Sequence, residues 1–263
     1  MWRISPPLKR GKSARPKPPD VGRSGRRIQE FKQFRVHDDA CGMKVGTDAL
    51  LLGSWAGTTS LETGQSVQHI LDIGTGSGVL ALMLAQRFPH AEIDAVELEH
   101  EAAQQARENA AHSPFGERIH VHQRAIQGWS KKADLIVCNP PFFHDHPKSQ
   151  DRKRNLARHD DTLPLRVLFS TSSACLHGQG SFDIVFPEDR AHEVEEEAQR
   201  HGFILHAKVQ LRATPDHEVI RSLWSWRKAE TSVMISETWD LESEEGKGEW
   251  SEAVASRLAP FVG

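Results

Sequence analysis

The stretch Asp72-Ile-Gly74-Thr-Gly76-Ser-Gly78 decides the fold class of this chain. It follows an apolar run, His69–Ile73, that is typical of a buried strand, and it precedes apolar residues at helical spacing. Glycines let a tight turn adopt positive φ and let a ligand approach the backbone closely. The N-terminus of the following helix offers free N–H groups to an anion. The pattern therefore predicts a ligand-binding turn between a strand and a helix.

Strands and helices alternate along the rest of the chain. The predicted strands are His69–Ile73, Glu92–Leu98, Ile119–Gln123, Asp134–Asn139, Gly180–Pro187, His206–Ala213 and Val219–Trp226. Helical patterns between most of them favour a mostly parallel seven-stranded sheet with helices on both faces, the α/β Rossmann-like class. The last two strands are joined by a Pro-Asp turn, which predicts a terminal antiparallel hairpin. We expect Val233–Ser236 to extend or follow the hairpin and the charged stretch Glu242–Glu249 to be a loop.

Composition narrows the class of protein. The 263 residues are 38% hydrophobic, which suits an ordinary globular chain. The cysteines Cys41, Cys138 and Cys175 lie far apart without a CxxC pair, so neither a disulfide scaffold nor a zinc ribbon is expected. No apolar run approaches the length of a membrane span, and no secretory signal is evident. His144 and His146 lack an identifiable third ligand, so we expect no metal.

The N-terminal residues 1–27, called the basic arm below, differ from the rest in charge. They contain nine Lys or Arg and one acid, Asp20, while the remaining residues contain 24 basic and 35 acidic side chains. Their five prolines argue against regular structure, so we predict a disordered arm before a single domain at residues 28–263. Such an arm can neutralise RNA phosphates without sequence preference; a solvated tail with no role is the alternative.

The acidic residue at the end of the second predicted strand indicates which ligand the turn binds. Glu97 lies nineteen residues after Gly78, where a carboxylate can accept hydrogen bonds from both hydroxyls of a ribose. The spacing is GxGxG, since residue 79 is valine, and no P-loop lysine follows. The shorter spacing suits the small carboxylate of S-adenosylmethionine better than a pyrophosphate. We therefore predict that Asp72, Gly74, Gly76, Gly78 and Glu97 bind this cofactor.

A second motif, Asn139-Pro140-Pro141-Phe142, indicates the reaction. It stands at the carboxyl end of a predicted strand, where open α/β sheets bind ligands. The exocyclic amine of a base is a poor nucleophile. A site can help by placing a hydrogen-bond acceptor at each of its two N–H groups. The Asn139 side-chain oxygen and the Pro140 carbonyl can supply them, while Pro141 stiffens the loop. Phe142 or Phe143 can stack on the base, and positioning with electrostatics then suffices for methyl transfer.

Together these motifs resemble class I S-adenosylmethionine-dependent methyltransferases with the (N/D)PP(Y/F) signature. A more specific resemblance is to the family of bacterial tRNA1(Val) (adenine-N6)-methyltransferases, and it covers roughly residues 28–226. It is carried by Phe31–Phe34, Cys41–Ala56, Leu71–Leu84, Ala95–Leu98, Asn139–Phe143 and Ala157–His159. The resemblance implies S-adenosylmethionine as donor and methylation, in the cytoplasm, of the adenosine at position 37, beside the tRNA anticodon.

The resemblance also implies roles for residues outside the two motifs. The segment 28–57 is expected to fold over the cofactor pocket, with Thr47 and Asp48 touching the cofactor and Lys44 the RNA; a helix cap is the alternative for this stretch. Ile126 is expected to pack on the cofactor adenine. Its neighbour Ala125 replaces an acidic residue usual in the family, which puts cofactor affinity in doubt.

Arg158 lies in another stretch that carries the resemblance. It is expected to bind an RNA phosphate, and a surface salt bridge is the alternative.

Other functions remain open from the residues alone. An rRNA guanine-N2 methyltransferase shares the Asn-Pro-Pro-Phe chemistry, although such enzymes often carry a further domain. A protein-glutamine methyltransferase also acts on a planar, weakly nucleophilic amide. An RNA-binding protein with an inactive methyltransferase fold is a fourth possibility. The tRNA enzyme is favoured, with no membrane partner, and a monomer is favoured over an oligomer.

Overall fold

The computed structural model describes residues 20–21, 27–62, 64–141, 163–228, 234–243 and 246–263. The first two ranges, residues 20–21 and 27–62, form a small antiparallel sheet followed by two helices. The elements are β1 (Asp20–Val21), β2 (Arg27–Glu30), β3 (Arg35–His37), α1 (Thr47–Trp55) and α2 (Thr58–Glu62). Strand β1 lies inside the basic arm and pairs with β2, so regular structure begins earlier than the composition of the arm predicts.

The next elements alternate between strand and helix. They are β4 (His69–Ile73), α3 (Val79–Arg87), β5 (Glu92–Glu97), α4 (His100–Ala111), β6 (Ile119–Gln123) and β7 (Ala133–Cys138). Continuous apolar runs such as that of β7 form strands buried on both faces, which is the environment of a parallel sheet under helices. Helix α3 ends at Arg87, two residues before Pro89, because proline cannot continue the hydrogen-bond ladder.

The C-terminal half completes the sheet and adds a small ribbon. Its elements are α5 (Leu165–Cys175), β8 (Leu176–Pro187), α6 (Ala191–Arg200), β9 (Ile204–Arg212), β10 (Val219–Arg227), β11 (Ile235–Asp240), β12 (Glu242–Ser243), β13 (Gly246–Trp250) and α7 (Glu252–Leu258). Ser251 caps α7, where its hydroxyl accepts a hydrogen bond from the Val254 N–H.

The main sheet has the strand order β11-β9-β10-β8-β7-β4-β5-β6. Among the described strands of this sheet, only β10 runs antiparallel to its neighbours, so the predicted terminal hairpin is confirmed. The chain order reverses between β4 and β7, where Ile73 is paired with Cys138. Open α/β sheets bind ligands at such a reversal, beyond the carboxyl ends of the strands. The residues that follow these two strands are the glycine turn and Asn139.

Hydrophobic side chains fill both faces of the sheet. Helices α1, α3, α4 and α7 cover one face, and α5 and α6 cover the other. On the second face the rings of Trp224 and Trp226 stack 5.5 Å apart, and Phe169 meets Phe182 edge to face. Burying each large aromatic ring contributes roughly 1.5–3 kcal/mol. Both faces of the sheet therefore anchor the strands whose ends form the site.

The C-terminal residues depart from the sequence prediction. Within the described residues the main sheet has eight strands rather than seven, because β11 adds a parallel strand beside β9. The predicted loop Glu242–Glu249 instead contains the two-stranded β12–β13 ribbon. Strands β11 and β13 each contain a buried tryptophan, Trp239 in β11 and Trp250 in β13. The residues around each tryptophan are mostly polar, so an apolar pattern does not predict the strand. One large aromatic anchor can hold a short polar strand against the core.

No helix in the described ranges is long and apolar enough to cross a membrane.

Candidate active site

The glycine turn lies between β4 and α3 and has the backbone shape that glycine permits. Gly74, Gly76 and Gly78 have φ of +72°, +55° and +81°. A Cβ on Gly74 or Gly76 would meet no atom within 4 Å, so both face open space, whereas a Cβ on Gly78 would touch the Ala106 side chain at 3.4 Å. The first two glycines thus form an open cradle, and the third is required by its positive φ rather than by its contact with α4.

Glu97 ends β5 beside the glycine turn. Its Oε2 accepts a hydrogen bond of 2.8 Å from the Gly76 N–H, and its Oε1 accepts one of 2.9 Å from the Glu99 N–H. Two backbone donors therefore fix the carboxylate, and each oxygen keeps a further acceptor position. A carboxylate held this way is oriented to accept hydrogen bonds from two neighbouring hydroxyls.

Asp72 lies under the turn rather than on the cleft surface. It is fully buried, and the Thr75 hydroxyl donates a hydrogen bond of 2.5 Å to its Oδ2. Burial raises the pKa of Asp72 to about 7, and the nearby Glu97 adds to the rise, while the Thr75 hydrogen bond opposes it. The Asp72 side chain therefore stabilises the turn through its hydrogen bond with Thr75.

A cleft of about 420 Å³ opens over the turn. Its lining combines the turn with apolar side chains from the ends of β5 and β6, among them Val96, Leu98 and Ile126. Ile126 is buried, and Ala125 beside it also lies on the lining, where its methyl group offers no hydrogen-bond acceptor. The cleft therefore has a polar floor and an apolar side suited to a flat ring.

The Asn-Pro-Pro motif borders the same cleft from β7. Asn139 and Pro141 lie on the lining, and Pro140 is buried behind them. Cys138, the residue before the motif, is fully buried, and burial raises the pKa of its thiol well above the usual range. The thiol is therefore inert, and Asn139 is the polar side chain that the motif presents to the cleft.

The N-terminal segment supplies one wall of the cleft. Residues 41–45 line it, as does Ala49 of α1. Thr47 and Asp48 are not on the lining; Asp48 instead pairs with Arg221 of β10, with 3.3 Å between Oδ2 and Nε. The helix-cap alternative is wrong for both residues, because Gly46 is the N-cap of α1 and no side chain caps it. Lys44 reaches the lining, but its ammonium is bound by loop carbonyls, as described below.

Comparisons with known proteins agree with this geometry. The model of the methyltransferase small domain family matches residues 51–193. A tRNA1(Val) (adenine(37)-N6)-methyltransferase from Porphyromonas gingivalis is 42% identical over 213 residues, covering 78% of this chain and 83% of the relative. The chain belongs to this methyltransferase family. A relative of the same name from Citrobacter koseri is 43% identical, covering 70% of this chain and 75% of its own.

Solved structures show the same methyltransferase fold at low identity. A predicted O-methyltransferase from Agrobacterium tumefaciens has a TM-score of 0.61 at 17% identity, covering 81% of this chain and 96% of that chain. The Thermus thermophilus 16S rRNA N2 G1207 methyltransferase, solved with its methyl donor and guanosine, has a TM-score of 0.53 at 19% identity. It is matched over 78% of this chain and 51% of that one.

The cofactor of this methyltransferase is S-adenosyl-L-methionine, and the cleft fits it. The open cradle at Gly74 and Gly76 leaves room for the amino-acid end of the cofactor. Glu97 would accept hydrogen bonds from the ribose hydroxyls, and Ile126 would offer an apolar surface to the adenine. These residues would hold the group next to Asn139.

The predicted catalytic or substrate-binding residues Phe142, Phe143 and Arg158 lie outside the described residues. The histidine pair considered as metal ligands, His144 and His146, also lies outside them. Within the described ranges no cluster of three His, Cys, Asp or Glu side chains has the arrangement of a metal site.

Sequence reasoning missed the polar residues of α4 that hold the cleft wall. Asn109 is buried; its Oδ1 accepts from the His37 N–H at 2.9 Å, and its Nδ2 donates to the carbonyls of His37 and Ser77, each at 2.8 Å. Gln105 binds the Ala40 N–H and the Asp39 carboxylate. Their signal is faint but present: both lie along the alanine-rich face of α4, where a polar residue needs a partner. They join the N-terminal segment to the glycine turn.

Proposed function

We propose that this chain transfers the methyl group of S-adenosyl-L-methionine to the exocyclic N6 amine of adenosine 37 in tRNA1(Val). The supporting observation is that Asn139 and the glycine turn meet on one cleft, in a chain 42% identical to a protein of that name. Both motifs follow neighbouring strands at the reversal of the sheet, so donor and acceptor groups can be brought together there.

The cofactor supplies a methyl group activated by the positive sulfonium. The chain's own residues then position the acceptor: the Asn139 side-chain oxygen accepts a hydrogen bond from one N6–H and the Pro140 carbonyl from the other. Held in this way, the amine lone pair would face the methyl group that the bound cofactor would supply, and the proton displaced from N6 would pass to solvent. Phe142 or Phe143 would supply the aromatic ring on which the base stacks.

The substrate is reached without opening a duplex. Adenosine 37 lies in the anticodon loop, where a base can be turned out at little cost, whereas a paired base would first have to be unstacked. We place the activity in the cytoplasm, where tRNA is modified, and expect a single chain to suffice. In this proposal residues 28–263 form one methyltransferase domain, with residues 28–57 folded over the cofactor.

The test is methyl transfer to tRNA that lacks this modification, followed by nucleoside mass spectrometry. N6-methyladenosine is expected with tRNA1(Val), and a transcript carrying guanosine at position 37 should remain unmethylated. N2-methylguanosine as the product, or transfer only to ribosomal RNA or protein, would overturn the proposal. Saturable cofactor binding without any transfer would indicate a missing feature of the substrate, whereas absence of cofactor binding would favour an inactive RNA-binding protein.

A further inference from the structure

The ammonium of Lys44 is surrounded by backbone carbonyls of its own loop. Its Nζ donates to the carbonyl oxygens of Asp38, Asp39 and Cys41 at 2.7, 3.1 and 2.8 Å. A lysine ammonium has three N–H donors and no acceptor. All three donors are therefore used inside the loop, and a phosphate could be bound only by breaking one of these bonds.

The loop so closed is one wall of the cofactor cleft. Residues 41–45 line the cleft together with the glycine turn. The wall is fastened at two further points: the Asp38 carboxylate accepts from the Val45 N–H at 2.9 Å, and Gln105 of α4 accepts from the Ala40 N–H at 3.1 Å. Lys44 thus closes a ring of contacts whose inner surface faces the cofactor.

We propose that Lys44 is a positioning residue for S-adenosyl-L-methionine, which shapes the cleft wall at residues 38–45 and makes no contact with the RNA. The inference rests on the proposed function and sharpens it, because it assigns this segment to the methyl donor. It replaces the sequence-based expectation that Lys44 binds the tRNA.

The first variant is Lys44→Met, which keeps most of the side-chain length and removes all three donors. Calorimetry should show that cofactor affinity falls about tenfold to a hundredfold, as loss of charge-assisted hydrogen bonds at a site wall implies. The KM for tRNA at saturating cofactor should stay within about twofold of wild type, with an unchanged salt slope. Hydrogen exchange at the amides of residues 41–45 should accelerate, a readout that needs no catalysis.

The second variant, Lys44→Arg, separates the two roles. A planar guanidinium keeps the charge but does not match three converging carbonyls. If Lys44 positions the wall, the arginine variant should remain impaired in cofactor binding. If Lys44 touches a tRNA phosphate, arginine should restore the KM for tRNA. This variant also decides the question should Lys44→Met fail to fold.

Lys132→Met is the matched control. Lys132 is exposed and donates to one carbonyl, that of Ala174, at 2.6 Å, away from the cleft lining. Its replacement should leave cofactor affinity unchanged. Normal cofactor binding by Lys44→Met, with a raised KM for tRNA and a salt slope reduced by about one, would overturn the inference while leaving the proposed function intact. Absence of cofactor binding by the wild-type protein would overturn both.

Discussion

At the scale of single residues, Asn139 carries the chemistry of the proposed reaction. Asn139→Ala should lower the single-turnover rate of methyl transfer by about 10²-fold or more, because one preorganised acceptor for the amine is removed. Asn139→Asp keeps an oxygen at that position and should lose much less. Rapid-quench assays with saturating cofactor and tRNA measure the rates. A near-normal rate for the alanine variant would remove Asn139 from the mechanism.

Gly76 tests the glycine turn. Alanine at its φ of +55° strains the backbone by about 1–2 kcal/mol and places a methyl group in the cradle. The methyl group takes up space that the cofactor needs. Gly76→Ala should therefore bind the cofactor at least about tenfold more weakly by calorimetry, which corresponds to about 1.4 kcal/mol of binding free energy.

Gly202→Ala is the control for this change. Gly202 has a φ of +75°, and its Cβ would also meet no atom, yet it lies after α6 and away from the cleft lining. The two variants should lose similar stability, and only Gly76→Ala should lose affinity. Equal affinities in both would show that the cradle does not bind the cofactor.

Asp72 predicts a pH dependence of stability. Burial raises its pKa from 3.8 to about 7, so the folded protein binds this proton more tightly than the unfolded chain does. Stability from this group is present below about pH 4 and is lost as pH rises through about 7.

Asp72→Asn removes the ionisation, so the free energy of unfolding should fall less between about pH 5 and about pH 8 than in wild type, by roughly a few kcal/mol. Urea unfolding at several pH values measures this difference. Parallel pH profiles for the two proteins would contradict the assignment. Asp183, whose pKa burial also raises, is present in both proteins and cancels in the comparison.

At the scale of elements, Asn109 links α4 to β3 and to the glycine turn. Asn109→Ala removes the hydrogen-bond partner of the His37 N–H and of the His37 and Ser77 carbonyls. The free energy of unfolding should therefore fall by about 2–3 kcal/mol. Gln104→Ala, on the exposed side of the same helix, should change it by less than about 0.5 kcal/mol. Chemical denaturation decides; equal effects of both changes would mean that the link carries no stability.

The central elements were predictable because strands buried on both faces need continuous apolar runs. The strand His69–Ile73 has the bounds that the apolar pattern predicts. The edge strand Ile119–Gln123 also has its predicted bounds, although it is only partly buried. The edge strand β11 was not predictable, because Ile235–Asp240 is mostly exposed and polar and depends on Trp239. Its partner β9 lies distant in sequence, and local patterns do not record that pairing.

The candidate site divides in a similar way. Glycines and acids at fixed spacing placed Gly74, Gly76 and Glu97 on one cleft, because each must follow a strand. The role of Lys44 was not readable, since a lysine bound by three carbonyls looks in sequence like a lysine ready for RNA. The Asp48–Arg221 pair joins residues 173 positions apart, which no local motif could indicate.

At the scale of the whole molecule, charge is divided between the arm and the rest. Residues 28–263 carry 24 basic and 35 acidic side chains, an unfavourable balance for RNA, whereas residues 1–19 carry six basic side chains and no acid. We expect removal of residues 1–19, which spares β1, to weaken tRNA binding and flatten its salt dependence.

Filter-binding titrations at several salt concentrations measure this effect. A variant with the six basic side chains changed to glutamine should behave like the truncation, although it keeps the length of the arm. An unchanged salt slope in both variants would show that residues 1–19 do not contribute to tRNA binding. Cofactor affinity should be normal in both variants.

Two backbone N–H groups, those of Gly76 and Glu99, hold the carboxylate of Glu97. If the carboxylate binds the ribose as proposed, it recognises an adenosine moiety that the demethylated by-product, S-adenosylhomocysteine, shares with the donor. The donor and the by-product differ only by one methyl group and one positive charge, so the cleft can distinguish them only by these two features. By-product will therefore compete for the same cleft, and turnover will follow the ratio of donor to by-product as well as the supply of tRNA.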